Sequence, residues 1–179
     1  MKKLLSVLFL FSTTVLAQMR LPTSPDGQVQ YQEIVRLPDA TRPARQVYNQ
    51  IRSWDEQHYK AGTNAERQYD DRHGILFVRS AFPFGKRLVR YTLTVEARIG
   101  RYRATLTDLV AEGDGLSLPV QATSPTVDEL SRASTGEIKN KQVVEQIAAD
   151  QAELYQQIDK ACRATLASLK EAMTAPISK

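Results

Sequence analysis

Between positions 90 and 107 the chain sets charged and hydroxyl residues on alternate positions: Arg90, Thr92, Thr94, Glu96 and Arg98, then Arg101, Arg103, Thr105 and Thr107. A guanidinium is a planar fork of donors that suits a carboxylate or a phosphate. Arg90, Arg98, Arg101 and Arg103 are therefore the candidate ligand-binding residues, and the ligand they imply is anionic. Period-two alternation puts them on one side of a strand pair. An antiparallel sheet ordinarily leaves one side to solvent, so a merely wet face is the competing reading.

Other chemistry is sparse. Asp70, Asp71 and His73 in "DDRHG" have the residue types for a metal or for acid–base work, but the same residues are ordinary turn formers. His58 follows Asp55 by three positions on a helical stripe and reads as a partly buried structural histidine. Cys162 is the single cysteine, which excludes an intramolecular disulfide and a cysteine metal cage. It recurs with Ile158, Thr165 and Leu169 at helical spacing, as a small core residue does. There is no Walker loop, G-x-G-x-x-G, H-E-x-x-H or G-x-S-x-G. No catalytic residue, metal or cofactor is expected.

The elements that must position the arginines follow from pattern. In "VEARIGRYRA" a tip at Ile99 and Gly100 makes facing residues sum to 199. Val95 then faces Ala104, Leu93 faces Leu106 and Ala97 faces Tyr102 on an apolar side. Thr94 faces Thr105, Thr92 faces Thr107 and Glu96 faces Arg103 on a polar side. A one-residue slip would set arginines against Val95 and Leu93. A two-residue type I′ turn would force positive φ on the β-branched Ile99, so a four-residue loop over 98–101 is the expected tip.

Around this hairpin the chain reads as a strand over 28–37, a helix from about residue 41, and strands near 65–71, 74–82, 87–98 and 101–110. Asp39 or Thr41 is the expected helix cap, with Pro43 in the first turn. Ala44, Val47, Tyr48, Ile51, Trp54 and His58 form its inner stripe. Tight turns between consecutive strands make an antiparallel meander. Residues 111–139, rich in Gly, Ser, Thr and Pro, read as a long loop with a short helical turn at "VDEL". One long helical pattern closes the chain, over about 140–175. Both helices can cover the apolar face of one sheet, a two-layer α+β arrangement of order β-α-β-β-β-β-α.

At the start, "MKK" followed by "LLSVLFLFSTTVL" and "VLA" has the layout of an export signal, with cleavage expected near Ala17. The apolar run falls short of the roughly 20 residues a span needs. Residues 18–26 then form a short lead into a core at 27–110. Removing Lys2 and Lys3 takes the formal charge from +4 to +2. That argues against nucleic acid as a partner, and the expected location is periplasmic or secreted.

The stretch "VYNQIRSW", the strand "GILFV" and above all "VRYTLTVEARIGRYRATLTD" resemble an exported bacterial family described as a domain of unknown function with a TBP-like fold. The resemblance covers about residues 27–110 and, more loosely, the terminal helix. It implies the same β-α-β₄-α topology and carries no activity. The function class expected is a non-catalytic binding or interaction module of the Gram-negative envelope. Its partner would be an anionic ligand or an envelope protein, met on the exposed sheet face. The alternatives are an enzyme or enzyme accessory using that face or the 111–139 segment, and an assembly partner acting through the long helix.

Overall fold

The computed structural model describes residues 18–60, 64–113, 115–133 and 141–175. The expected export signal and its cleavage point lie outside these residues. Strands β1 (Tyr31–Arg36), β2 (Glu66–Asp70), β3 (Ile75–Phe84), β4 (Arg87–Arg98), β5 (Arg101–Gly113) and β6 (Leu116–Pro119) form one antiparallel sheet. Its order is β1-β5-β4-β3-β2, and β6 pairs with β5 beyond the end of β1. The meander thus holds, and the first strand inserts beside the last strand of the hairpin.

Helix α1 (Ala44–His58) and helix α3 (Lys141–Thr174) cover the same sheet face. Beneath them sit Val89, Tyr91, Leu93, Val95 and Ala97 of β4, Tyr102, Ala104 and Leu106 of β5, and Leu76 and Val78 of β3, all buried. Burial of that much aliphatic and aromatic surface is the main force holding sheet to helices. The two helices are also tied to each other. Trp54 Nε1 donates to Ser168 Oγ at 3.1 Å, and Gln50 Nε2 donates to the Ala172 carbonyl at 2.8 Å. On β1, the Tyr31 hydroxyl reaches Asp159 of α3 at 3.0 Å.

Three expectations are corrected. Pro43 is the N-cap of α1, with no side-chain cap. Asp39 instead accepts from the N–H (2.9 Å) and hydroxyl (2.7 Å) of Thr41 in the preceding loop. Second, the segment after residue 110 carries regular structure. β5 passes an irregularity between Arg90 and Thr92 of its partner, where Asp108 takes φ 54°, and then runs on to Gly113 and returns as β6. Helix α2 (Val127–Ala133) follows. Its start is a capping box: Glu129 N–H donates to Thr126 Oγ1 at 3.2 Å, while Thr126 N–H donates back to the Glu129 carboxylate at 2.7 Å. Third, the tip of the β4–β5 hairpin holds two residues, because Arg98 pairs directly with Arg101. Ile99 escapes strain because only Gly100 takes positive φ, at 62°.

The terminal helix is continuous over 34 residues, about 50 Å. Among the described residues no helix is long and apolar enough to cross a membrane.

Candidate functional site

All six facing pairs of the hairpin occur in the register read from alternation, including Glu96 opposite Arg103 and Leu93 opposite Leu106. Because the apolar partners point under the helices, Arg90, Arg98, Arg101 and Arg103 stand exposed on the open face. They do not form one group. Arg90 lies eight residues along β4 from Arg98, about 26 Å at strand rise. There its Nε pairs with Glu112 at 2.7 Å. The other three gather at the hairpin end.

A further arginine joins them. Arg36 of β1 pairs with Arg101, and Arg101 with Arg98, so three arginines from three adjacent strands share one row. Neighbouring Cα atoms in such a row are about 4.5–5.5 Å apart, and like charges directly opposite destabilise a sheet. In the next row Ile34, Arg103, Glu96 and Ile75 stand side by side. Glu96 takes the Arg103 Nη2 at 2.6 Å and lies 3.6 Å from Arg98 Nη2. Arg36 and Arg101 have no ion pair among the described residues. Nothing local marks Arg36, since its strand reaches the hairpin across some 65 residues of chain. Only the sheet order brings it in.

The hairpin end is held from behind. Gly100 is buried; its N–H donates to the Arg42 carbonyl and its carbonyl accepts from Leu37 N–H, both at 2.9 Å. A Cβ on Gly100 would overlap the backbone of Ala40. The β1–α1 loop therefore clamps the tip and fixes the backbone that carries Arg98 and Arg101. Ile99, at the tip itself, is 67% exposed.

The remaining candidates are structural. Asp70 closes its turn by accepting from the N–H of Arg72 (3.1 Å) and of His73 (3.0 Å), and its other oxygen lies 2.8 Å from His73 Nδ1. The His73 hydrogen bond and those backbone donors hold the Asp70 carboxyl below its usual pKa. Asp71 is engaged by Tyr48 (2.8 Å) and Arg52 (3.1 Å). Among the described residues no group of three or more His, Cys, Asp or Glu is placed to hold a metal. His58 stacks on Trp54, with ring centroids 4.8 Å apart, and sits 3.3 Å from Ser168 Oγ. Loss of hydration lowers its pKa, against a smaller opposing pull from Asp55. Cys162 is fully buried, and burial pushes its thiol up to about 12.

Asp55 shows what helical periodicity misses. It is 0% exposed, beneath Arg67 Nε at 3.1 Å and the Tyr69 hydroxyl at 2.6 Å, both from β2. A buried carboxylate needs such partners, and here they pin the sheet edge to α1.

Among the described residues several clefts flank the fold. One of about 600 Å³ opens between the β5–β6 extension and helices α2 and α3, with Leu116, Leu118, Leu154 and Tyr155 on its walls. A smaller one, about 300 Å³, lies between α1 and the β2–β3 turn and is lined by Arg45, Arg52, Arg72 and His73.

No family model matches the sequence, and no curated protein matches it. Solved structures do. A DUF4468 family protein from Bacteroides ovatus ATCC 8483 is 15% identical, with a TM-score of 0.50, over 89% of this chain and 93% of that one. A TBP-like protein from Parabacteroides distasonis ATCC 8503 is 18% identical, with a TM-score of 0.47, over 75% of this chain and 96% of that one. At 15% identity the likeness to the Bacteroides ovatus structure is one of fold alone, an α+β antiparallel sheet with helices on one face.

Proposed function

We propose that this protein is an exported, non-catalytic binding module that recognises anionic groups through the hairpin end of its open sheet face. The observation that carries the reading is the row Arg36, Arg101 and Arg98, with like charges opposed twice. Cross-strand stability is poorly served by that arrangement, so a ligand's negative charge is its natural counterpart. Glu96 is shared between Arg103 at 2.6 Å and Arg98 at 3.6 Å, which leaves Arg36 and Arg101 of the row without a carboxylate partner among the described residues. Export is supported by the layout of residues 1–17 in the sequence and by contacts made just after the expected cleavage point. Met19 N–H donates to Ser124 Oγ at 3.1 Å, and Ser124 N–H donates to the Met19 carbonyl at 2.9 Å. The chain is thus tied down two residues past the expected cleavage point.

The test uses short-chain inorganic polyphosphate as a soluble probe, titrated by calorimetry. Binding should weaken as salt is raised, because exposed charges are screened. The triple variant Arg36→Ala, Arg98→Ala, Arg101→Ala should lose about ten-fold or more in affinity with its melting temperature preserved. Equal binding by wild type and variant, or no binding by either, overturns the reading. N-terminal sequencing of the protein from a periplasmic or culture fraction should begin at Gln18; retention of Met1 in the cytoplasmic fraction overturns export.

A further inference from the structure

We infer that the anionic partner is a lipid surface, met end-on by the turns of the hairpin end, with Ile99 entering the headgroup layer. This rests on the anion-binding reading above and names its partner.

Three connections meet at that end of the sheet. The β1–α1 loop holds Gly100, and Ala97 N–H donates to the Gly74 carbonyl at 2.9 Å, which locks the β2–β3 turn beside the β4–β5 tip. Arginines come to it from both sides of the sheet: Arg36, Arg98 and Arg101 from the open face, Arg45 from the start of α1, and Arg72 from the turn. Arg36, Arg45, Arg72 and Arg101 have no ion pair among the described residues. The carboxylates of the same end are engaged within it: Asp39 by Thr41, Asp70 by its own turn, Asp71 by Tyr48 and Arg52, and Glu96 by Arg103. Cations spread over several turn tips match a charged plane better than one small anion, which a single cleft would enclose.

Ile99 supplies the second part. It projects at the tip between Arg98 and Arg101, 67% exposed, on a backbone clamped by two hydrogen bonds and by the close approach of Ala40. Ile34, 61% exposed, stands one row behind, beside Arg103. An apolar tip flanked by long cationic side chains fits the membrane interface, where arginine stems lie along apolar surface and their heads meet phosphates. Stable attachment needs two such signals together, one apolar and one electrostatic.

Sedimentation with vesicles tests this. Purified protein should bind phosphatidylglycerol-containing vesicles and leave pure phosphatidylcholine vesicles unbound. Ile99→Ser should lower vesicle partitioning by about ten-fold and leave polyphosphate affinity unchanged, and Ile99→Leu should restore partitioning. The triple arginine variant should lose both. Vesicle binding by Ile99→Ser equal to wild type overturns the lipid inference. So does wild type that binds polyphosphate and ignores phosphatidylglycerol; in both cases the anion-binding reading stands. Failure of wild type to bind any of these probes removes both.

Discussion

The two ends of the sheet are built on different terms. At the hairpin end the backbone is over-determined: Gly100 is buried against Ala40, and a separate loop supplies both of its hydrogen-bond partners. At the opposite end β5 continues past Asp108 into a short hairpin whose return strand, β6, is exposed along its whole length. Helix α2 beside it buries no residue. The first end is rigid and cationic, and the second is loosely packed, with Leu116 and Leu118 left 65% and 60% exposed over a cleft. Burial and interlocking hydrogen bonds set local stability. The rigid end can therefore hold charges in a fixed, unfavourable row, whereas the loose end has little to resist a change of side chain.

Two glycines put this contrast to the sharpest test. Both Gly100 (φ 62°) and Gly115 (φ 79°) hold a left-handed conformation, but a Cβ at Gly115 would meet nothing within 4 Å. Gly100→Ala should cost roughly 2–5 kcal/mol, combining left-handed strain with overpacking, and Gly115→Ala only about 1–2 kcal/mol, both read from chemical denaturation. Equal losses would erase the distinction. Cys162, buried in α3, gives an independent readout. With its thiol pushed up to about 12, it should resist labelling at neutral pH until the core opens. Its labelling should accelerate far more in Gly100→Ala than in Gly115→Ala.

Smaller effects sharpen the boundary between the ends. Asp108 is the only non-glycine residue with positive φ among those described, and it marks where β5 leaves the tightly paired region. Asp108→Val should cost about 1–2 kcal/mol and Asp108→Gly close to nothing in the same denaturation assay. In the loose end, Leu118→Ala should change stability by no more than about 0.5 kcal/mol. A loss of several kcal/mol there would show that the cleft is closed in solution. Arg101→Thr should leave stability unchanged or raise it by a few tenths of about 1 kcal/mol, because it relieves two like-charge pairs, while weakening polyphosphate binding. Clear destabilisation would make the arginine row structural.

How much of this was legible depended on the range of the interaction. Alternation from Thr92 to Thr107 was enough for the hairpin register, since a slip would have buried guanidinium groups. Its turn was misread because the positive φ was assigned to Ile99 as well as Gly100. The Gly, Ser and Pro content after residue 110 concealed β6, although "AEGDGLSLP" holds two short alternating arms around a glycine turn. The short helical turn expected at "VDEL" is present as α2, and the capping box at Thr126 and Glu129 that starts it is seen in the structure. Asp55 is singled out by no pattern in the chain, and only the packing of β2 across α1 buries it.

Local chemistry thus determined the elements other than β6, the two-layer class, the inward and outward sides of the hairpin, and the positions of Arg98, Arg101 and Arg103 near its tip. These follow from periodicity, which acts over a few residues and is written wherever a strand or helix must bury one side. Tertiary structure alone decided that β1 lies against β5, that Arg36 completes the row, that Arg90 stands apart with Glu112, and that a distant loop clamps Gly100. Those outcomes depend on which strand edge wins which partner. That choice is settled by the packing of the whole core, where no short stretch of chain carries the answer.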